Sequence, residues 1–185
     1  MAILSTEWLY ERFNAKIVVV MRHPAGFIGS LKKAGWTIPF SGLLSQKEKL
    51  NSHLGDFIPI IENYTRQPPG IIDQGIIIWN IVYTMIRYYR EKFDGQWYFV
   101  KHETLSKDPV GEFHKLFTFL DIPWTREMNK IVTKSSDGSV LNRLSRNSAE
   151  NVGTWKTRLS TDEICRIKDG TKRLYSYFYD ENDWS

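Results

Sequence analysis

The apolar residues of this chain fall into two short continuous runs and several longer periodic stretches. Residues 16–21 read Lys-Ile-Val-Val-Val-Met, and residues 97–101 read Trp-Tyr-Phe-Val-Lys. A run without alternation is typical of a strand buried on both faces of a parallel sheet. Elsewhere apolar residues recur three or four positions apart, which predicts helices. We expect these helices at 6–14, from Pro24, once or twice within 45–65, at about 71–93, from Pro109, at 125–132 and from Ser160 or Thr161 to about Tyr177.

The order helix, strand, several helices, strand, helices predicts an α/β domain with a right-handed crossover between parallel strands. The 185 residues are 42% hydrophobic, which is enough for one packed domain spanning residues 1–185. Two strands are too few for a parallel sheet covered on both faces. We therefore expect further strands, either within residues 36–70, upstream of Met1, or in another chain.

Composition excludes several classes of protein. The single cysteine leaves no internal disulfide framework and no multi-cysteine zinc site. No apolar run approaches the roughly 20 residues that cross a bilayer, and the first residues predict no secretory signal. We expect a cytoplasmic protein with no bound metal and no membrane partner.

The net charge of +4 lies in one stretch of the chain. Residues 126–158 contain seven basic and three acidic side chains, and the remaining residues balance. This excess is compatible with an anionic partner and equally with a solvated loop.

The first strand ends in Arg22, and Ser30 follows eight residues later on the helix that begins at Pro24. Ligands of open α/β sheets bind beyond the carboxyl ends of the strands, where helix N-termini offer free N–H groups. A guanidinium and a hydroxyl suit a phosphate. The alternative is that Arg22 pairs with a structural carboxylate and Ser30 only packs.

Three stretches resemble, in order, the sulfotransferases that use 3′-phosphoadenosine 5′-phosphosulfate. KIVVVMRHPAGFIGSLKKAGW resembles the strand and helix that bind the 3′-phosphate in that family. WYFVKHETLSKDPVGEFHKLFTFLDIP resembles its second strand, the turn after it and the next helix. NVGTWKTRLSTDEI resembles its late Gly-x-Trp-Lys element. The resemblance implies a P-loop-like α/β fold and transfer of a sulfuryl group from this donor to a hydroxyl or amine.

The resemblance also implies donor-binding residues. Arg22 and Ser30 match the residues that hold the 3′-phosphate, and Arg146 best matches the late arginine, with Arg143 as its rival. Ser135 and Ser136 resemble the stretch that lines the adenine, and His102 stands where the family often has a tyrosine near the adenine.

The chain departs from the family pattern in important places. Arg146-Asn147-Ser148 replaces a typical Arg-Lys-Gly, and no Gly-rich loop for the 5′-phosphosulfate precedes Arg22. The resemblance therefore implies that the catalytic base lies upstream of Met1 and that this chain is about the C-terminal two-thirds of the domain. It also implies that the chain alone is a poor catalyst. The acceptor cannot be read from the sequence.

Three other functions are compatible with parts of the sequence. A catalytically inactive nucleotide-binding relative would keep the fold and the donor site. A polyanion or nucleic-acid binding module would use the basic stretch, although such modules usually have a broader basic face. A nucleotide kinase would need a Gly-x-x-x-x-Gly-Lys-Ser/Thr loop, which is missing from these residues.

Three further residues have both a structural and a functional interpretation. His23 could contact phosphate or cap the helix that follows it. Trp79 could line an acceptor pocket, although core packing is the favoured interpretation. Glu103 could be proposed as a base, but a structural role is favoured.

Overall fold

A computed structural model describes residues 2–45, 50, 52–136 and 151–184. Two parallel strands and ten α-helices lie wholly within these residues, with short 3-10 turns at Ala2–Ser5, Gly55–Phe57 and Glu181–Trp184. The strands are β1 (Val18–Met21) and β2 (Tyr98–Lys101). The helices are α1 (Thr6–Phe13), α2 (Pro24–Ala34), α3 (Phe40–Leu44), α4 (Ile58–Arg66), α5 (Ile71–Lys92), α6 (His102–Lys107), α7 (Pro109–Phe119), α8 (Arg126–Ser136), α9 (Trp155–Arg158) and α10 (Thr161–Tyr175).

Local signals account for most helix boundaries. Pro24 and Pro109 occupy first turns, where a missing N–H leaves no helical bond unmade. The Asp108 carboxylate accepts the Gly111 N–H at 3.0 Å. Ser160 and Glu163 form a reciprocal capping box that starts α10. These predicted starts are confirmed.

The two strands pair in parallel, with Val18 opposite Tyr98 and Met21 opposite Lys101. The α/β prediction is confirmed. Between residues 36 and 70, the described positions contain helices and no strand, so the expectation of a missed strand there is wrong for those positions. On its other edge β1 pairs with no strand of the described ranges.

The strand β1 is not buried on both faces as its sequence predicts. Val19 and Met21 are buried, but Val20 on the opposite face is 54% exposed. Val20 lines an apolar cavity of about 170 Å³ together with Arg22, Phe27 and Ile86. The continuous apolar run therefore exceeds what the described fold covers.

Two apolar clusters stabilise the domain. The larger surrounds α5 and includes Trp79, Ile81 and Tyr89. The smaller joins α2, α5, α9 and α10 through six buried residues, Ala25, Ile28, Ile72, Trp155, Leu159 and Ile167. A Cβ on Gly75 would lie 2.7 Å from Ile28 Cγ1, so glycine allows α5 to pack directly against α2. This packing fixes the helix that follows β1.

Two segments are more helical than the sequence predicts. Residues after β2 form α6 directly, because His102–Lys107 adopts a short helix before Asp108 starts the next one. The helix predicted at 125–132 continues to Ser136 as α8. No helix within the described ranges is long and apolar enough to span a membrane.

Candidate functional site

The two strands end side by side, so the residues that follow them meet at one edge of the sheet. Met21 pairs with Lys101 in the last position of the ladder. Arg22 therefore begins the connection to α2 next to His102, which begins α6. This edge is where the sequence predicts a ligand site.

The main chain of Arg22 is held by α5. Its carbonyl accepts hydrogen bonds from Tyr83 Oη at 2.6 Å and Trp79 Nε1 at 3.0 Å, and its N–H donates to the same Tyr83 hydroxyl. Trp79 and Tyr83 are buried, and their rings stack with centroids 3.7 Å apart. Burial raises the pKa of Tyr83, so its hydroxyl stays protonated and donates. The predicted core role of Trp79 is confirmed, with a hydrogen bond that the sequence did not indicate.

The side chain of Arg22 lies along the face of α2 that carries Gly26 and Ser30. A Cβ on Gly26 would be only 3.5 Å from Arg22 Nε. Residues four apart lie on one face of a helix, which places Ser30 one turn beyond Gly26. A glycine one turn before the hydroxyl thus leaves room for the guanidinium.

A second guanidinium reaches the same face from the far end of the chain. Arg158 Nη1 donates to Ser30 Oγ at 3.2 Å. A Cβ on Gly29 would lie 3.2 Å from Trp155 Cβ, so the absent side chain allows α9 to approach α2 closely. Arg158 was missed by the sequence analysis, which used only its neighbours Gly153, Trp155 and Lys156 as a landmark.

The two guanidiniums influence each other electrostatically. Burial lowers the pKa of Arg22, the Glu103 carboxylate opposes that shift, and the positive charge of Arg158 adds to it. Within the described residues neither arginine forms an ion pair within 4 Å. Two guanidiniums without an ion-pair partner in the described part of the chain, together with the Ser30 hydroxyl of α2, suit an anion.

Glu103 connects the two strand ends. One carboxylate oxygen accepts the His23 N–H at 2.9 Å, and the other accepts the Tyr179 hydroxyl at 3.4 Å. Burial is the main cause of the raised pKa of Tyr179, so this hydroxyl also stays a donor. With both oxygens engaged, Glu103 orients the backbone after Arg22, which supports the structural interpretation.

The His23 ring is enclosed by three aromatic rings, which we call the aromatic box: those of Trp155, Tyr179 and Trp184. His23 is 2% exposed and stacks on Trp155 with centroids 5.5 Å apart, while the Tyr179 and Trp184 rings meet it edge-on at 5.2 and 4.3 Å. Neither ring nitrogen has a hydrogen-bond partner in the described part of the chain. Burial lowers the pKa of His23 to about 4, so the ring is neutral near pH 7. The side chain makes no capping hydrogen bond, and its burial leaves neither sequence interpretation of this ring supported.

The other residues predicted to bind the sulfuryl donor are His102, Ser135, Ser136, Arg143 and Arg146. His102 is half-buried beside Arg22, and burial followed by the Arg22 charge lowers its pKa. Ser135 and Ser136 end α8, which packs against α7, and Ser136 Oγ donates to the Val132 carbonyl at 2.8 Å. Arg143 and Arg146 lie outside the described residues. The assignment of all these residues as donor ligands stays a prediction.

Two further observations concern ligand chemistry away from this edge of the sheet. A cavity of about 720 Å³ between α1 and the end of α5 is lined by Leu4, Trp8, Met85 and Tyr89, and none of its lining residues belongs to the edge that carries Arg22. No group of three or more histidine, cysteine or acidic side chains in the described residues could hold a metal ion.

Comparison with known proteins gives a family but no individual relative. No curated protein and no solved structure matched the chain. A family model described as "Sulfotransferase domain" matches residues 5–179, which include both strands, Arg22, Ser30, Glu103 and Arg158. This chain belongs to the sulfotransferase domain family.

Proposed function

We propose that this protein binds 3′-phosphoadenosine 5′-phosphosulfate and transfers its sulfuryl group to a hydroxyl or amine. The observation that carries the proposal is the position of the Arg22 guanidinium against Gly26 of α2, one helical turn before the Ser30 hydroxyl, in the connection that follows β1. A phosphomonoester has several acceptor oxygens, and these groups offer it charge-assisted donors. Arg22 and Ser30 are proposed to hold the 3′-phosphate.

The proposed reaction is an in-line displacement. The acceptor oxygen or nitrogen forms a bond to sulfur while the bond from sulfur to the 5′-phosphate oxygen breaks, and the electron pair leaves with adenosine 3′,5′-bisphosphate. The proton of the acceptor passes to a base. Arg22 and Ser30 contribute by positioning the donor, which lowers the entropy lost on reaching the transition state.

An inactive nucleotide-binding relative is the second candidate. It is favoured by the way two titratable groups close to Arg22, Glu103 and His23, are held by other parts of the chain. Glu103 accepts two hydrogen bonds, and the His23 ring is enclosed by aromatic side chains. Neither is free to take a proton from an acceptor.

A titration with four ligands tests the proposal. Adenosine 3′,5′-bisphosphate, adenosine 5′-phosphate, ATP and a short oligonucleotide are titrated into the wild type and Arg22→Ala at two salt concentrations. We expect preferential bisphosphate binding that weakens by at least about tenfold in Arg22→Ala. Preferential oligonucleotide binding with a steep salt dependence would instead support a nucleic-acid module.

Activity separates the two candidates that share the nucleotide site. The protein is incubated with radiolabelled donor and a panel of alcohols, phenols, amines and saccharides, and labelled products are counted. Product formation supports the sulfotransferase. Tight bisphosphate binding without product across the panel favours the inactive relative.

A further inference from the structure

The described structure brings a third group to the face of α2 that carries Arg22 and Ser30. Arg158 lies 128 residues after Ser30 in sequence, yet its Nη1 donates to Ser30 Oγ at 3.2 Å. No other side-chain hydrogen bond and no ion pair of Arg158 is found across the described ranges. A half-buried guanidinium with one neutral partner keeps most of its five N–H donors available.

The packing of α9 holds Arg158 in this position. Trp155 and Leu159 are buried against α2, and Gly29 leaves the space that their side chains occupy. Arg158 lies between these two anchors in sequence, so its backbone is fixed by apolar packing on either side. The guanidinium is thus directed at Ser30 before any ligand arrives.

The electrostatics of the site favour an anion between the two arginines. The charge of Arg158 contributes to lowering the pKa of Arg22, which means that the two cations repel each other across the site. Glu103 offsets part of that repulsion, but its oxygens are engaged by His23 and Tyr179. A ligand with two negative charges would remove the repulsion and satisfy the free donors.

We propose that Arg158 is a second guanidinium for the 3′-phosphate, and that it confers selectivity for nucleotides phosphorylated at the 3′-position. The inference rests on the proposed function. Ser30 Oγ accepts from Arg158 and keeps its own O–H for the phosphate, so the hydroxyl and the guanidinium bind the same group together. Arg22 approaches that phosphate from the strand end and Arg158 from α9.

The test compares adenosine 3′,5′-bisphosphate with adenosine 5′-phosphate by calorimetric titration. Arg158→Gln should weaken bisphosphate binding about 10- to 100-fold, because it removes a charge-assisted contact, and should change adenosine 5′-phosphate binding less than threefold. Arg158→Lys should recover part of the loss. Lys156→Gln removes an exposed positive charge from the same helix and should stay within about threefold of wild type for both ligands.

A double-mutant cycle separates contact with the phosphate from support of Ser30. If Arg158 acted only by orienting the hydroxyl, Arg158→Gln would have no further effect in a Ser30→Ala protein. We expect a further loss of at least about fivefold in that background. Thermal melts of every variant check that the fold is retained, and Arg158→Lys keeps the test informative if Arg158→Gln is unstable.

The outcomes distinguish this inference from the proposed function. A wild type that prefers the bisphosphate, together with an Arg158→Gln protein that keeps the same preference, overturns the role of Arg158 alone. A wild type without any preference for the 3′-phosphate overturns both.

Discussion

The two strand ends carry nearly the same local sequence, but their basic side chains have different contacts. β1 is followed by Arg22-His23, and the last residue of β2 with its successor is Lys101-His102. The Arg22 backbone is bonded to Trp79 and Tyr83, and its guanidinium has no ion-pair partner within the described residues. Lys101 instead lies 3.7 Å from Asp183 and 4.6 Å above the ring of Tyr179.

We call the residues where β1 passes into α2 the first junction and those where β2 passes into α6 the second junction. The two junctions differ in how their cations are engaged. The second junction neutralises its own cation and contributes the Glu103 carboxylate, which bonds the His23 N–H of the first. The first junction keeps its cation available to a ligand. In the proposed function, one strand end therefore provides the recognition group, and its neighbour provides the support that orients it.

The largest expected effect concerns the buried histidine of the first junction. In the unfolded chain an imidazole gains its proton near its ordinary pKa of 6.5, whereas in the fold the pKa of His23 is about 4. Between these values the unfolded state binds more protons, so stability falls as the pH drops from about 6.5 toward 4 and is unaffected by this group above that range. The maximum loss is about 3 kcal/mol.

The variant His23→Phe should remove that pH dependence. Phenylalanine suits the aromatic box, and it carries neither buried nitrogen. Urea midpoints at pH 7.5, 5.5 and 4.5 measure the effect, with His114→Gln at an exposed histidine as the matched control. An unchanged loss of stability at acid pH in His23→Phe would contradict the assignment to this ring.

The next prediction compares the two cations directly. Arg22→Ala should weaken adenosine 3′,5′-bisphosphate binding by about 10- to 100-fold, because a charge-assisted contact is lost. Lys101→Ala should change it less than about threefold, since Asp183 and Tyr179 engage that ammonium. Equal losses in the two variants would mean that net positive charge at this edge, not the position of Arg22, governs binding.

A smaller effect is expected at the carboxylate that joins the junctions. Glu103→Ala should lower the free energy of unfolding by about 1–3 kcal/mol, because the His23 N–H loses its acceptor. Glu103→Gln keeps an acceptor of the same shape and should lose less. Chemical denaturation of both variants at pH 7.5 measures the pair. A glutamine variant as unstable as the alanine variant would show that the charge matters more than the hydrogen bonds.

The smallest effect belongs to the hydroxyl beneath Arg22. Tyr83→Phe removes both the 2.6 Å hydrogen bond to the Arg22 carbonyl and the acceptor of the Arg22 N–H, and should lower stability by about 1 kcal/mol. Trp79 still donates to the same carbonyl, which limits the loss. Tyr98→Phe, at a half-buried tyrosine of the second strand, is the matched control for thermal melts. Similar shifts in the two variants would argue against a special role for the Tyr83 hydroxyl.

Much of the first junction could be predicted from sequence. The run ending at Met21 and the proline at 24 are local signals, and together they place Arg22 at the carboxyl end of a strand before a helix. The exposure of Val20 could not be predicted, because burial of a strand face depends on which elements cover it. The helical state of Ser135 and Ser136 was also not predicted, because the apolar positions stop at Val132 while α8 continues to Ser136.

The side chains that surround the site could not be predicted from local sequence patterns. His23 was assigned two roles from its position beside Arg22, and neither is supported, because its burial depends on the aromatic rings of Trp155, Tyr179 and Trp184. These rings come from the last part of the chain. No spacing rule links them to a strand more than 130 residues earlier.

The sequence by itself determined the α/β class, most helix starts, the family resemblance and the position of Arg22, because each depends on residues close together in the chain. Only the tertiary structure decided that Arg158 meets Ser30 and that Glu103 bonds the backbone of His23. It also decided that Lys101 lies near Asp183 while Arg22 has no ion-pair partner among the described residues. Those contacts depend on the close approach of α9 to Gly29 and on the pairing of β1 with β2. Packing between distant segments therefore gives two similar strand ends different surroundings.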